Sequence, residues 1–544
     1  MAEFDAIVAG AGPNGLAAAL RLAEAGWSVC LLEATDEVGG GARTVECTLP
    51  GFRHDFGAGF FPLAAAAPAI TGRSLARHGL RFAHAPVPAA HPFAGDQAIA
   101  LGRSAEETAV SLDKVHLGDG EAWMALDRAW GDVVGQFLAA QLHRWPVREL
   151  AWLLRRLGPR GAAEFARVVL SGAESVARVF ASEQARAFLV APAMHADLPP
   201  EAPGSGVYAL LLGLLGQRNG MPVAVGGTGA ISRALCSALL EAGGVVATGR
   251  PVERFVVRAG RVVAVEAGGD QIGARRAVIA AIDPRLVVER TGREHFPAAA
   301  LAQLDVSRRG LGTFKVDWAL DGPVPWTAEA CRDAAVVHVA ETVTDMSRAV
   351  WEAAHGLLPA RPTLVLGQQS LADPGRAPEG RHTLWGYTHV PAVPTGDAAR
   401  PRARGDWPRA AQPFADRVEA AIERYAPGFR ERILARKLWT PADLEAADPN
   451  LVGGDISGGT FAVDQQLLFR PGPAWWRWGT PLKGLYLGGA ALPPGGGVHG
   501  AAGDQAAAQA LADARRPARI ALAVAGGTAL LALRRRRRGA PRAS

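Results

Sequence analysis

Apolar residues run unbroken from Ala6 to Ala9, the pattern of a strand buried on both faces. A helix follows over Leu16 to Ala25, Gly26 stops it, and Ser28 to Leu32 supply a second strand, so the chain opens as a βαβ unit. Ser104 and Glu107 form an S-x-x-E capping box. From Asp119 to Trp145 apolar residues at Leu126, Trp130, Val133, Phe137, Leu138 and Leu142 recur at helical spacing. Val207 to Leu215 is apolar but only nine residues long, too short to span a bilayer. Val245 to Ala247, Val252 to Val257 and Val262 to Val265 read as strands, the last two joined by a turn at Ala259-Gly260. Trp385, Tyr387 and His389 alternate and so share one face of a strand, and Pro391 to Pro413 is a Pro/Arg/Gly-rich loop. Leu485 to Leu487 is a short buried strand, and Ala501 to Ala512 a closing helix.

The turn inside the opening unit carries chemistry. Gly10, Gly12 and Gly15 make G-x-G-x-x-G, with Pro13 and Asn14 heading the helix. The first glycine allows the tight turn, the second lets backbone approach a pyrophosphate, and the third lets the helix pack closely. The helix then points free N–H groups and its positive end at the phosphates. Glu33 ends the second strand, where an acid hydrogen-bonds a ribose hydroxyl and would repel a 2′-phosphate, so the nucleotide is FAD or NAD rather than NADP. With 65 glycines in the chain, chance matches to the motif are expected, and the strand, helix and acid around it decide the matter. Gly39, Gly40 and Gly41 allow a close crossing of a long dinucleotide, and Arg43 suits its phosphates. Gly57 and Gly59 either lie against a flat ring or make a plain turn. Gly226 to Gly229 is only a partial second fingerprint, with no acid at the right distance, so a second dinucleotide domain is not expected.

Length, at 544 residues, allows two or more domains. A net charge of +6 invites a nucleic-acid reading. All but four of the 58 basic residues are Arg, though, and with the abundant Ala and Gly this looks like a GC-rich coding bias; no nucleic-acid partner is expected. Cys30, Cys47, Cys236 and Cys331 have neither zinc nor disulfide spacing, and Met1 to Asp5 runs directly into the first strand. A cytoplasmic protein is expected.

The blocks GAGPNGLAAALRLAEAGWSVCLLE, VGGGART and GFRHDFGAGFFP resemble, in order and spacing, the FAD-dependent phytoene desaturase-like oxidoreductases of the flavin amine oxidase superfamily. The resemblance continues through Gly226 to Leu235, Val252 to Pro284, Gly312 to Leu320, Ser370 to Pro391 and Gly484 to Gly503. It implies FAD, with the backbone of Val252 near the adenine; the glycines of the loop carrying Gly489, Gly497 and Val498 sit before a helix N-terminus, which suits the ribityl and pyrophosphate end of the flavin. Where many members have Gly-Asp, this chain has Gly489-Ala490, and His499 either nears the ring or packs on the loop. In amine oxidase relatives a Lys on the strand corresponding to Gly312 to Leu320 approaches the flavin through a water. Lys315 is therefore the first catalytic candidate, against a strand-edge lysine in solvent. Trp385, Tyr387 and His389 are candidates to line a pocket beside the ring, against ordinary core packing.

The expected fold is α/β: a discontinuous Rossmann-like FAD domain (1–85, 220–290, 439–515) and a mixed α+β substrate domain (a helical cap at 86–219, then 291–438). Residues 516–544 form a tail. Ile520 to Leu533 is a 14-residue apolar run flanked by Arg519 and by Arg534 to Arg538, too short to span and read as an interfacial anchor or a disordered tail. Trp145 to Leu157 is a basic amphipathic stretch that suits either a membrane surface or a substrate-domain helix. Peripheral attachment to the inner face of the cell membrane follows as an expectation. The expected function is hydride abstraction from an apolar substrate, polyene or isoprenoid in type, with oxygen or a quinone as electron acceptor. A flavin amine oxidase and a flavin-stabilised scaffold are the alternatives.

Overall fold

The computed structural model describes residues 2–143, 147–400 and 406–515. The expected tail anchor, and Trp145 of the basic stretch, lie outside them. Two seven-stranded sheets organise the chain. The first has the order Val252–Arg258, Arg261–Ala267, Asp270–Ala280, Glu3–Ala9, Val29–Leu32, Val245–Ala247, with Leu485–Leu487 pairing the far half of Asp270–Ala280. Its nucleotide-binding core is parallel, and the three-strand meander at one edge is antiparallel. Strands therefore come from all three stretches assigned to the FAD domain.

Period two explains how this sheet is buried. Ala6, Val8, Val29 and Leu31 face one layer, which contains the helices Pro13–Glu24 and Gly229–Glu241 and the helix over residues 501–515. Ile7, Ala9, Cys30 and Leu32 face the opposite core with Phe255, Val265 and Trp475. Both faces are covered, as parallel strands require.

The second sheet runs Ile433–Trp439, Gly312–Leu320, His382–Val390, Leu364–Gly367, Ala334–Val339, Val87–Pro92, Ala98–Leu101. One face packs Phe314, Val316, Trp318 and Leu384 against the helix Trp407–Glu423. The other face looks toward the helical layer and the first sheet. Three expectations are corrected here. The 86–219 region opens with a two-strand hairpin before its helices, because Ala89 to Leu101 alternates into the sheet. The Pro-rich loop ends at Asp406, which caps the helix Trp407–Glu423. The capping box at Ser104 is half formed: Ser104 accepts from the Glu107 N–H, but Glu107 reaches the N–H of Arg103, one residue early. The basic stretch forms part of the helix Val147–Leu170, bent at Gly158, with Leu150 and Leu154 exposed. Among the described residues no helix is long and apolar enough to cross a membrane.

Several joints admit only glycine. A Cβ on Gly503 would lie 1.8 Å from the Asn14 carbonyl oxygen, where the closing helix crosses the start of the first one. Gly503→Ala is thus expected to cost more than ~3 kcal/mol or to prevent folding. Gly243→Ala meets nothing within 4 Å at φ +83° and should cost only about 1 kcal/mol. Thermal unfolding of the two variants checks this; equal effects would refute the backbone contact.

Candidate functional site

A continuous cavity of about 580 Å³ runs from Glu33 and Val252, past the glycine turn, to the inner face of the second sheet. At its nucleotide end Gly10 takes φ +94°, which turns the chain out of the first strand, and Gly12 sits at the N-cap of the helix Pro13–Glu24. A Cβ on Gly12 would meet only Gly39 O, at 3.9 Å, so that glycine leaves open space. Gly15 does not line the cavity. Its Cβ would fall 1.8 Å from Gly10 O, so it serves the close packing of the helix start.

Glu33 is buried and partly committed. Its Oε2 accepts from the Ala11 N–H at 2.7 Å, and its Oε1 from the N–H and hydroxyl of Thr35 at 3.0 Å each. Oε2 keeps a lone pair for a ribose hydroxyl. Arg43 lies over the Phe56 ring and donates through Nη2 to Ala447 O at 2.9 Å, leaving a buried Nε–H without a partner. Asn14, whose amide oxygen is unpartnered, lines the same cavity. An unpartnered Arg43 N–H in the wall of this open glycine gap fits a diphosphate, whose oxygens accept. Gly40 and Gly41 also line this stretch.

Asp448 and Asn450 were not found from sequence. They follow the short helix Pro441–Ala447, and Asp448 Oδ1 accepts from both the N–H and the Nδ2 of Asn450. Burial, aided by the like charge of Glu33, pushes the Asp448 carboxyl upward against those bonds and Arg43. The Asp-x-Asn spacing of such a turn was the available signal.

Toward the second sheet, Gly57 and Gly59 line the cavity, but what demands glycine there is packing. Cβ atoms would lie 2.4 Å from Gly41 O and 2.3 Å from Gln369 Nε2. Trp385 pins this turn by donating its indole N–H to Gly57 O at 2.9 Å. Gly497, Val498 and His499 line the opposite wall. His499 Nδ1 accepts from the Ala501 N–H, so Nε2 carries the proton and donates to Gly495 O. Gly489 lies behind the cavity, its missing Cβ 3.0 Å from Ile282 O, and Ala490 takes its place in the wall.

Lys315 is not a solvent-edge lysine. Its strand is paired on both sides, it is buried, and its ammonium is ion-paired with Asp317 two residues along the same face. Asp317 also accepts from Trp439 Nε1 at 2.9 Å. Trp385 and Tyr387 line the cavity with Lys315. His389 does not; its Nε2 lies 3.1 Å from Met194 O, in the packing behind the wall. His195, from the turn Ala191–His195, does line it and had no local signal.

A family model for flavin-containing amine oxidoreductases matches residues 14–511. The chain belongs to this family. It is an FAD-dependent oxidoreductase, and the residues described above fit that cofactor. This family member is 29% identical to the rat pyridine nucleotide-disulfide oxidoreductase domain-containing protein 2, over 93% of each chain. It is 26% identical to the phytoene dehydrogenase of Streptomyces griseus, over 84% of this chain and 85% of the other. It is also 25% identical to the neurosporene-forming phytoene desaturase of Rhodobacter capsulatus, over 94% of each. Cyclohexylamine oxidase from Brevibacterium oxydans shares the fold, with a TM-score of 0.58 at 18% identity, over 94% of this chain and 99% of that one.

Because Gly12 leaves open space, Gly12→Ala should fold normally yet lose FAD affinity at least tenfold, the methyl occupying room for the phosphates. Flavin fluorescence titration beside a melting curve checks both halves. A second expectation concerns acid. Burial holds His91, His195 and His499 each down to about 4. The unfolded chain, with ordinary values near 6.5, binds protons that the native state refuses. Stability is therefore full above about pH 6.5 and is lost as pH falls toward about 4, these three rings alone accounting for an uptake of about two to three protons near pH 5, to which the likewise buried His338 adds. Melting temperatures from pH 8 to 5 measure this; a flat profile would mean that these rings are solvated.

Proposed function

We propose that the protein is an FAD-dependent dehydrogenase of an uncharged apolar substrate of polyene or isoprenoid type, akin to the phytoene desaturases. One observation carries the reading: the carboxylates lining the cavity among the described residues are Glu33 and Asp448, both at the nucleotide end. The substrate end is walled by Leu63, Val207, Leu211, Met221, Val336, Val365 and Trp385. An alkylammonium there would meet Lys315, whose counter-charge Asp317 is already engaged. This weighs against the amine oxidase alternative, and the scaffold alternative has no observation in its favour.

Bound FAD supplies the hydride acceptor. The chain's own contribution is to hold an extended apolar molecule in a dry slot and to keep one fixed ammonium, Lys315, in its wall. Leu467, which lines the cavity, and its neighbours Leu468 and Phe469 are exposed. An apolar lip of this kind suits uptake from a lipid surface, and peripheral membrane attachment belongs to the proposal. Oxygen or a quinone then serves as electron acceptor.

Anaerobic mixing of the holoenzyme with polyenes, terpenes and amines tests the reading. Bleaching of the flavin absorbance by polyenes or terpenes is expected, and bleaching by amines alone would overturn it. Lys315→Met should retain flavin, slow flavin reduction or reoxidation at least tenfold, and cost about 3 kcal/mol of stability by leaving Asp317 buried without its cation. Adding Asp317→Asn should recover much of the stability but not the rate. Stopped-flow kinetics and melting curves separate the two effects; unchanged flavin kinetics would remove Lys315 from the mechanism.

A further inference from the structure

The inner face of the second sheet carries one lateral row of polar groups. Lys315 pairs with Tyr387, Tyr387 with Val365, and Val365 with His338, and cross-strand partners share a face. From the facing turn, His195 closes a chain over this row. The Tyr387 hydroxyl lies 3.1 Å from His195 Nδ1, and His195 Nε2 lies 3.0 Å from His338 Nε2. Tyr387 and His195 border the cavity, where Val336 and Val365 are their apolar neighbours in its wall.

The chain has two self-consistent proton arrangements. In one, Tyr387 donates to His195 Nδ1 and His195 Nε2–H donates to His338, which leaves the phenol oxygen to accept from a ligand. In the other, His338 Nε2–H donates to His195, His195 Nδ1–H donates to Tyr387, and the phenol O–H is free to donate. Both keep every member neutral, and burial favours neutrality: it drives both histidines down and the tyrosine up. A neutral hydrogen-bonding pair that can present either a donor or an acceptor matches a hydroxyl or a carbonyl equally well. It offers no counter-charge to an ammonium or a carboxylate.

We propose that Tyr387, backed by His195 and His338, forms a subsite for an uncharged oxygen function, hydroxyl or carbonyl, on an otherwise apolar substrate. This rests on the reading of the cavity as an apolar substrate site. His195 and His338 are positioning residues, acting through the orientation of the Tyr387 hydroxyl.

The test compares farnesene, farnesol, farnesal and farnesylamine as ligands of the holoenzyme, with dissociation constants read from perturbation of the flavin spectrum. Farnesol and farnesal should bind about tenfold more tightly than farnesene, the scale of one buried neutral hydrogen bond, and farnesylamine should gain nothing. Tyr387→Phe, which keeps the ring, should bring the farnesol-to-farnesene ratio close to one. His195→Leu should lower that ratio as well, although it leaves the phenol in place, an effect that loss of packing alone would not produce. Equal binding of farnesene and farnesol by the wild type, a preference for the amine, or a preference that survives Tyr387→Phe would overturn the subsite while leaving the apolar-substrate reading intact. Failure of all four to bind would overturn that reading, and the subsite with it.

Discussion

Contact between backbones with no side chain between them is the constraint on which this architecture rests. The glycine turn, the closing helix and the Gly57 turn come from distant parts of the chain. The glycine turn closes on itself at Gly15 against Gly10, the closing helix meets the first helix at Gly503 against Asn14, and the Gly57 turn meets Gly41; at each a single methyl would collide with a carbonyl oxygen. These approaches bring a helix N-terminus, a ribose acid and a substrate wall to one channel. The glycines therefore have two distinct jobs. Some let the protein close on itself, and others, such as Gly12, keep room for a ligand.

Charge completes the junction. Arg376, fully buried, pairs with Asp55 at 3.0 Å and with Asp373 at 2.9 Å. Asp55 also accepts from the Thr228 N–H, and Asp373 from the Gly226 N–H. One guanidinium thus ties together three segments far apart in sequence, those around Asp55, Gly226 to Thr228 and Asp373. Buried ion pairs add little net stability over apolar packing, but losing one partner is costly, so such a network disfavours misaligned arrangements of the three segments. The planar fork of Arg, with Nε donating to Asp373 and Nη1 to Asp55, suits that task.

Along the cavity, polarity changes in step with the chemistry proposed. Carboxylates and the unpartnered Arg43 N–H lie at the nucleotide end, a single ion-paired ammonium stands midway, and neutral rings and aliphatic side chains line the substrate end. Low dielectric makes each of these choices matter more than it would at a surface, because an unmatched charge or polar group is not rescued by water.

Local periodicity and local turn chemistry were legible in the chain itself. The βαβ unit, the glycine motif with Glu33, the hairpin at Ala259-Gly260 and the shared face of Trp385 and Tyr387 all depend on residues within a few tens of positions of one another, where backbone sterics and side-chain alternation act directly. The reasons behind some of these residues were not legible. Gly57 and Gly59 are glycines because of Gly41 and Gln369, and His389 shares the strand face of Tyr387 yet faces Met194 from behind the cavity wall. Asp448 beside Glu33, Asp317 beneath Trp439, and His195 between Tyr387 and His338 join residues more than a hundred positions apart. Residue order alone was enough to predict a dinucleotide-binding βαβ unit and FAD as the cofactor, which the family match supports. Which groups face the substrate was settled in three dimensions, because strand register and the packing of the turn Ala191–His195 set those neighbours, and neither is encoded in any local pattern.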